Sequence, residues 1–165
     1  MNRPLKRDAE QVGSAARDEA AAAAERRRRD TIDALMLYGV VAIGAMIGGV
    51  LRALAGLAGE GIGGGFPFAT LFVNVVGSFA IGFFSTLTAP GGRVFASPRQ
   101  RLFFTVGFCG GLTTFSSFTL ETALLARDGR FAAAGLNIAV SLVTWLGAVW
   151  LGHMLAARLN RLKGS

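Results

Sequence analysis

Four long stretches of this chain contain almost no charged side chain, and they limit the folds open to it more than any other feature. They cover residues 35–51, 66–89, 102–121 and 131–157. A helix that crosses a lipid bilayer needs about 20 mostly apolar residues. Because lipid offers no hydrogen-bonding partner to open backbone, such stretches must be helical. The sequence therefore predicts an all-α integral membrane protein with four transmembrane helices.

The low charge of the chain supports this interpretation and argues against a soluble enzyme. Charged residues make up 16% of the sequence, against about 25% in an ordinary soluble domain. Residues 35–165 hold only nine Lys or Arg and three Asp or Glu residues. The chain has one Cys and one His, which excludes an internal disulfide, a zinc site built from cysteines and a cluster of histidine ligands.

The positive charges between the apolar stretches predict how the chain lies in the membrane. The first two loops are expected at residues 53–65, after Arg52 closes the first span, and at residues 90–101. Four spans place both termini and the middle loop on one side, which carries ten Lys or Arg residues near the membrane, against two or three on the other. By the positive-inside rule, both termini are expected in the cytoplasm. We divide the chain into a polar, Arg-rich extension (residues 1–34), a transmembrane domain (residues 35–158) and a basic tail (residues 159–165).

Two other interpretations compete for the N-terminal region. An isoelectric point near 11.2 can indicate a nucleic-acid-binding protein, but these basic residues flank apolar stretches, so we expect lipid headgroups and no nucleic acid as the partner. The run Arg26–Arg29 and a small-residue site at 53–55 also resemble a secretory signal peptide. However, 17 apolar residues exceed the usual signal core of about 7–15.

The third apolar stretch has an unusual centre, where Gly110 and Gly111 come shortly before Thr113 and Thr114. Glycine costs about 1 kcal/mol in a helix relative to alanine, so the pair favours a break. We predict two half-helices, broken around residues 110–113. Carbonyls freed at such a break suit a hard cation, whereas freed N–H groups and phenyl ring edges suit an anion.

Polar residues inside the other spans follow helical spacing. Asn74 lies within the second stretch and must find a hydrogen-bonding partner there. After the predicted break, helical spacing places Phe115, Phe118, Thr119 and Thr122 on one face, and Asn137, Ser141 and Thr144 form a similar row in the fourth stretch. Interhelical hydrogen bonds and aromatic packing are the ordinary interpretation, and a path lined by donors is the alternative. Two glycine pairs, 44/48 and 107/111, allow close packing of helices.

Three motifs in order resemble those of the Fluc/CrcB family of fluoride channels. The first runs from Gly44 to Arg52. The second is Ala-Thr-Leu at 69–71, with Asn74 and then Gly-Ser-Phe at 77–79. The third and most specific is the segment GFCGGLTTFSSF at 107–118. The resemblance covers about residues 39–157, nearly everything beyond the extension.

The resemblance implies an antiparallel, dual-topology homodimer with two fluoride pathways, a broken third helix and export of cytoplasmic fluoride from the cell across the inner membrane. It implies a structural Na⁺ at the dimer centre, held by the backbone carbonyls of Gly110 and Thr113. The implied anion pathway consists of Asn74, Phe115, Ser116, Ser117, Phe118, Thr119 and Ser141. The implied entrance holds Arg52 and Glu121.

The chain also departs from the family pattern. Asn137 stands where the family often has Tyr, and the 34-residue extension is an addition. The strong charge bias leaves open a paralogue of opposite orientation as partner in place of a second copy. Two rival functions remain, a non-conducting structural or assembly subunit and a small four-helix multidrug exporter. The exporter would need an acid within the first span, and residues 35–51 contain none.

Overall fold

The structure, a computed structural model, describes residues 3–59, 61 and 65–162. Its helices are α1 (Arg3–Ala58), α2 (Phe68–Leu87), α3 (Pro98–Leu102), a π-helical segment (Phe103–Phe108), α4 (Cys109–Leu112), α5 (Phe115–Arg127) and α6 (Phe131–Arg161). Within the described residues, four stretches are long and apolar enough to cross a membrane, namely Ala21–Ala58, Phe68–Leu87, Pro98–Arg127 and Phe131–Arg161. The prediction of an all-α membrane protein with four spanning helices is confirmed.

The chain divides into two compact units, residues 1–38 and residues 39–165. The described part of the first unit is helical from Arg3. Within it, Glu25 pairs with Arg28 at 3.9 Å and with Arg29 at 3.1 Å. These partners are exposed, and such pairs contribute at most about 1 kcal/mol each. Lys163 of the basic tail and Glu60 of the first loop lie outside the described residues.

Two predicted loop boundaries are wrong. We expected the first helix to end at Arg52, but α1 continues to Ala58, because arginine and the alanines and leucines that follow it are good helix formers. We also expected a loop over residues 90–101, but α3 begins at Pro98. The Ser97 hydroxyl accepts a hydrogen bond from the Gln100 N–H at 3.3 Å. The backbone N–H of Ser97 donates to Oε1 of the Gln100 side chain at 2.9 Å. This capping box starts a helix.

The helices of the second unit approach one another at glycines. A Cβ atom at Gly44 or Gly48 would collide with the backbone of the third span, and one at Gly107 or Gly111 would collide with the backbone of α1. The two predicted glycine pairs therefore face each other. A similar contact joins α2 to α6, where Gly82 lies against the carbonyl of Val149. Close backbone approach at small residues is the usual way that membrane helices pack.

The third span contains a π-helical segment that we did not predict. Residues 103–108 form this wider turn just before α4. The ring of Phe104 lies 4.3 Å from that of Phe84 and 5.4 Å from that of Phe108, centroid to centroid. Short π-helical turns inside α-helices occur frequently at functional sites. Here the segment leads directly into the break of the same span.

Candidate functional site

The third span is interrupted at Thr113 and Thr114, so the predicted break is present. It lies later than expected, because Gly110 and Gly111 are helical within α4 and the break falls on the two threonines that follow. Helix α4 ends at Leu112 and α5 begins at Phe115. Both threonines between them are extended, with φ and ψ of −82° and 154° for Thr113 and of −150° and 120° for Thr114. The interruption therefore separates two half-helices within a stretch long enough to span the membrane.

The side chain of Asn74 holds this break in place. Its Nδ2 donates to the carbonyl oxygen of Thr114 at 2.9 Å, and its Oδ1 accepts from the Thr114 N–H at 2.7 Å. Asn74 is buried, with 4% of its surface exposed. Because unpaired backbone groups are costly inside a membrane, this pairing stabilises an extended residue where a continuous helix would otherwise form. The interhelical hydrogen bond expected as the ordinary role of Asn74 is present.

The break releases backbone carbonyls, and among them are the two that were predicted as cation ligands. In a continuous helix the Thr114 N–H would donate to the Gly110 carbonyl, and the Ser117 N–H would donate to the Thr113 carbonyl. The first of these N–H groups donates to Asn74 instead, and the second donates to Oγ1 of Thr114 at 3.1 Å. The carbonyls of Gly110 and Thr113 thus lose their helical partners, and they are the two that the sequence predicts as cation ligands.

Thr114 caps the second half-helix. Besides accepting from the Ser117 N–H, its Oγ1 lies 3.1 Å from the hydroxyl of Ser116 and 3.1 Å from that of Ser117. An N-cap threonine of this kind satisfies a backbone donor that the helix start leaves unpaired. Ser116 and Ser117, both predicted pathway residues, are thereby gathered around one hydroxyl at the beginning of α5.

A cavity of about 290 Å³ opens beside the break. Its lining includes Asn74, Gly110, Thr113, Thr114, Phe115 and Trp145. These groups are neutral, and they combine amide, hydroxyl, backbone and aromatic hydrogen atoms. The cavity therefore offers hydrogen-bond donors and ring edges to a small ligand without placing a formal charge next to it.

Three aromatic rings follow one another along this part of the molecule. Phe115 and Phe118 have centroids 5.5 Å apart at an interplanar angle of 48°. Phe118 meets Trp145 of α6 edge to face, at 5.0 Å and 72°. Phe118 is buried at 7% exposure, whereas Phe115 is 70% exposed. The predicted phenyl pair is thus brought together, with one ring inside the bundle and the other on its surface.

The two predicted entrance residues line a second cavity, of about 410 Å³, and Thr114 belongs to the walls of both cavities. Arg52 and Glu121 both belong to its wall, together with Thr70 and Ser117. The Oε1 atom of Glu121 accepts a hydrogen bond from the Thr70 hydroxyl at 2.6 Å. Its Oε2 atom is buried and has no hydrogen-bond partner within the described part of the chain.

The polar row of α6 meets the row of α5 at one point. Asn137 donates from Nδ2 to the Thr122 hydroxyl at 2.9 Å, and Ser141 donates to Oδ1 of Asn137 at 3.5 Å. Asn137 and Ser141 are each only 1% exposed. Thr119, in contrast, is exposed and donates to the carbonyl of Phe115 in its own helix at 2.9 Å. The Thr119 hydroxyl is therefore engaged within its own helix.

Sequence reasoning did not select three residues of the site, Thr70, Thr114 and Trp145. Thr70 lies four residues before Asn74, and this spacing places both on one helix face. Thr114 follows a glycine pair and precedes a helix, which is the usual position of a capping threonine. Trp145 lies four residues after Ser141 and continues the α6 row. Helical spacing would have found the first and third, and helix-start signals would have found the second.

The fold and the site define a multi-pass α-helical membrane protein whose third span is broken beside a neutral, donor-lined cavity. Residues 39–153 match the family model described as CrcB-like protein, Camphor Resistance (CrcB). The chain therefore belongs to the CrcB family.

Curated relatives agree with this assignment. The chain is 55% identical over 134 residues to fluoride-specific ion channel FluC 1 of Rhodopseudomonas palustris, which covers 81% of this chain and 95% of the relative. It is 53% identical over 128 residues to fluoride-specific ion channel FluC of Paramagnetospirillum magneticum, which covers 77% of this chain and 100% of the relative. Neither match covers more than 81% of this chain, and residues 1–38 lie outside the family model.

Proposed function

We propose that this protein is a fluoride-selective channel that lets cytoplasmic fluoride leave the cell down its electrochemical gradient. The observation that carries the proposal is the broken third span, whose Thr114 is held by Asn74 beside a cavity of neutral donors. The names of the relatives point to the same ion. Hydrogen fluoride crosses membranes and dissociates inside a cell, so a passive exit for the anion lowers intracellular fluoride. No covalent chemistry is required, and neither rival function is favoured.

Neutral donors suit fluoride because the ion is small and strongly hydrated. A pathway must replace the water around it with hydrogen atoms of similar polarity. In this proposal Asn74 supplies the amide hydrogen that Thr114 does not use, and Phe115 and Phe118 supply ring edges, which carry positive partial charge. Ser116, Ser117, Thr119 and Ser141 supply hydroxyls. A lining of this size and kind should pass fluoride and exclude the larger chloride ion.

The break also fits a structural Na⁺, which the proposal places at the centre of an antiparallel dimer. The ligands are the carbonyl oxygens of Gly110 and Thr113, since the N–H groups that would bond to them in a continuous helix donate elsewhere. Carbonyl oxygens of unwound backbone are typical Na⁺ ligands in membrane proteins. Two oxygens are too few for such an ion, so a second chain must supply the others. That chain is a second copy or a paralogue of opposite orientation. Bound Na⁺ would hold the two breaks together.

The charged residues outside the cavity are assigned roles according to their charge. Arg52 and Glu121 form the pathway entrance, where the arginine attracts the anion. Both termini lie in the cytoplasm, and the polar extension (residues 1–34) and the basic tail (residues 159–165) flank the channel domain (residues 35–158). The Arg26–Arg29 run lies near anionic lipid headgroups, which attract basic segments next to a membrane span.

Fluoride efflux from liposomes tests the function directly. Purified protein is reconstituted into vesicles loaded with potassium fluoride, and release is followed with a fluoride electrode after valinomycin is added. We expect rapid release of fluoride and none of chloride under the same conditions. Equal release of the two anions, or no fluoride release from correctly inserted protein, would remove the proposal.

The cation is tested separately. When all Na⁺ is replaced by N-methylglucamine during purification and assay, we expect weaker dimers and lower fluoride flux, because the carbonyls at the break lose their ligand. Re-addition of Na⁺ should restore both. Dimer stability and flux that do not respond to the exchange would exclude a structural Na⁺ while leaving the channel function intact.

A further inference from the structure

Trp145 carries a buried hydrogen-bond donor that nothing in the described protein satisfies. Its indole Nε1 is shielded from solvent and has no hydrogen-bond partner among the described residues. Buried indole N–H groups normally find an acceptor, because a buried donor that is left unpaired destabilises the fold. Such a group in a folded protein calls for a physical explanation.

The position of Trp145 links this donor to the proposed pathway. The residue lines the cavity that also contains Asn74, Thr114 and Phe115. Its ring meets Phe118 edge to face at a centroid distance of 5.0 Å. On α6 it lies one helical turn beyond Ser141, which is itself buried and hydrogen-bonded to Asn137. The row of polar groups on α6 thus continues to the indole, for which the described residues provide no acceptor.

The chemistry of the indole specifies the missing partner. An indole N–H donates and cannot accept, so its partner must be an acceptor, and an anion is the strongest one. Hydrogen bonds to charged groups are roughly twice as strong as those between neutral groups. The other residues that line the cavity are uncharged, so none of them repels an anion.

We propose that the indole N–H of Trp145 donates a hydrogen bond to the permeating fluoride ion. The inference rests on the proposed channel function and adds a residue to its pathway. Trp145 thereby acts in two ways, since its ring positions the buried Phe118 and its N–H binds the anion. Because the donor has no partner among the described residues, a bound ion would not have to displace one.

The two tryptophans of the chain provide a matched pair for the test. Trp145→Phe keeps an aromatic ring against Phe118 and removes only the N–H and part of the indole. Trp150→Phe makes the same change at a residue that is 62% exposed on α6. In liposome efflux we expect fluoride flux to fall about tenfold in Trp145→Phe, as for the loss of one hydrogen bond to a charged group. Trp150→Phe should retain wild-type flux.

A spectroscopic measurement separates anion binding from packing. The Trp150→Phe protein has Trp145 as its one indole, so a single ¹⁵N–¹H indole resonance reports on that N–H without any change to it. We expect this resonance to shift as sodium fluoride is added and to stay in place with sodium chloride at equal ionic strength. A resonance that fluoride does not move would overturn the inference, even if Trp145→Phe conducts poorly, because the residue would then act through packing alone.

The two proposals can fail separately. Wild-type fluoride flux together with an unmoved indole resonance, or with equal flux in the two Phe variants, removes Trp145 from the pathway and leaves the channel intact. An absence of fluoride flux in the wild type removes the channel function, and with it the role of Trp145.

Discussion

The two halves of the third span are held in place by different means. The half before the break, residues 98–112, packs on α1 through glycines whose missing side chains let backbone meet backbone. The half after it, α5, is held by polar side chains, with Thr114 paired to Asn74 and Thr122 to Asn137. The glycine contacts leave no room for an added side-chain atom. The polar contacts depend on one particular hydrogen-bonding side chain at each position.

The glycine contacts before the break hold the helices together, whereas the polar contacts after it also line the proposed ion pathway. Glycine contacts fix the distance between helices without offering any group to a ligand. The polar contacts fix the second half-helix and at the same time leave carbonyls, hydroxyls and N–H groups close to the cavity. Variants in the two halves should therefore fail differently, the first by loss of stability and the second mainly by loss of flux.

The largest effect is expected when Asn74 is replaced by leucine. The change keeps the side-chain volume but leaves the Thr114 N–H and carbonyl unpaired inside the membrane. The change also removes the amide hydrogen that the proposal gives to the ion, and a hydrogen bond to a charged group is worth up to about 3 kcal/mol, so we expect fluoride flux to fall about a hundredfold. Efflux from liposomes measures it.

Asn160 is the matched control, because it also bridges two backbone groups. It accepts from the Arg93 N–H at 2.8 Å and donates to the Thr86 carbonyl at 2.8 Å. Asn160→Leu removes the same kind of pairing near the end of α6, away from the break. We expect it to retain most of its flux. Equal losses in the two variants would mean that Asn74 contributes only to folding.

The next largest effect is expected on the glycine side. A Cβ at Gly48 would collide with the Phe108 carbonyl, and it would lie 2.7 Å from the Leu112 nitrogen. Gly48→Ala should therefore lower the free energy of unfolding by about 1–3 kcal/mol, the usual cost of overpacking. Thermal unfolding of the protein in detergent measures the change.

The neighbouring Gly49 provides the control, since nothing lies within 4 Å of a Cβ built there. Gly49→Ala should be neutral or slightly stabilising, because alanine favours a helix over glycine by about 1 kcal/mol. If both alanine variants were equally stable, close backbone approach at Gly48 would not be what holds this half of the span.

A smaller effect is expected at the phenyl pair. Phe118→Ile and Phe115→Ile remove ring edges while keeping apolar volume, and interactions of this kind are worth about 0.5–1.5 kcal/mol. We expect fluoride flux to fall about three- to tenfold in each, with the dimer still assembled on size-exclusion chromatography. Phe72→Ile, at an exposed ring of α2, should conduct normally. Undiminished flux in both variants would remove the phenyl rings from the mechanism.

The smallest effect is expected at Thr119. Its hydroxyl already donates to the Phe115 carbonyl and is exposed, so it must exchange partners before it can donate to an ion. Thr119→Val should reduce flux by about twofold, which corresponds to the lower end of hydrogen-bond contributions. The rate is measured against Asn74→Leu in the same vesicle preparation. A loss as large as that of Asn74→Leu would place Thr119 at the centre of the pathway instead of its margin.

The sequence by itself determined the spans and the break, because both follow from local energetics. Apolar stretches such as residues 131–157 must be helical in lipid whatever surrounds them. Two adjacent glycines weaken a helix through their own backbone and so predicted that the third span breaks, although the structure keeps both glycines helical and places the break at the two threonines that follow. The ends of helices were less certain, and α1 and α3 differ from the prediction because Arg52 continues a helix and Ser97 starts one.

Only the tertiary structure decided which polar groups are paired and which remain available. Asn74 and Thr114 are 40 residues apart, and no local pattern indicates that the amide would satisfy this backbone and so release the carbonyls of Gly110 and Thr113. Local patterns likewise do not indicate the hydrogen bond from Thr70 to Glu121 or the unpaired indole N–H of Trp145. The physical reason is that a hydrogen bond is chosen among all the groups within about 3 Å in space, and helix packing, not sequence spacing, brings those groups together.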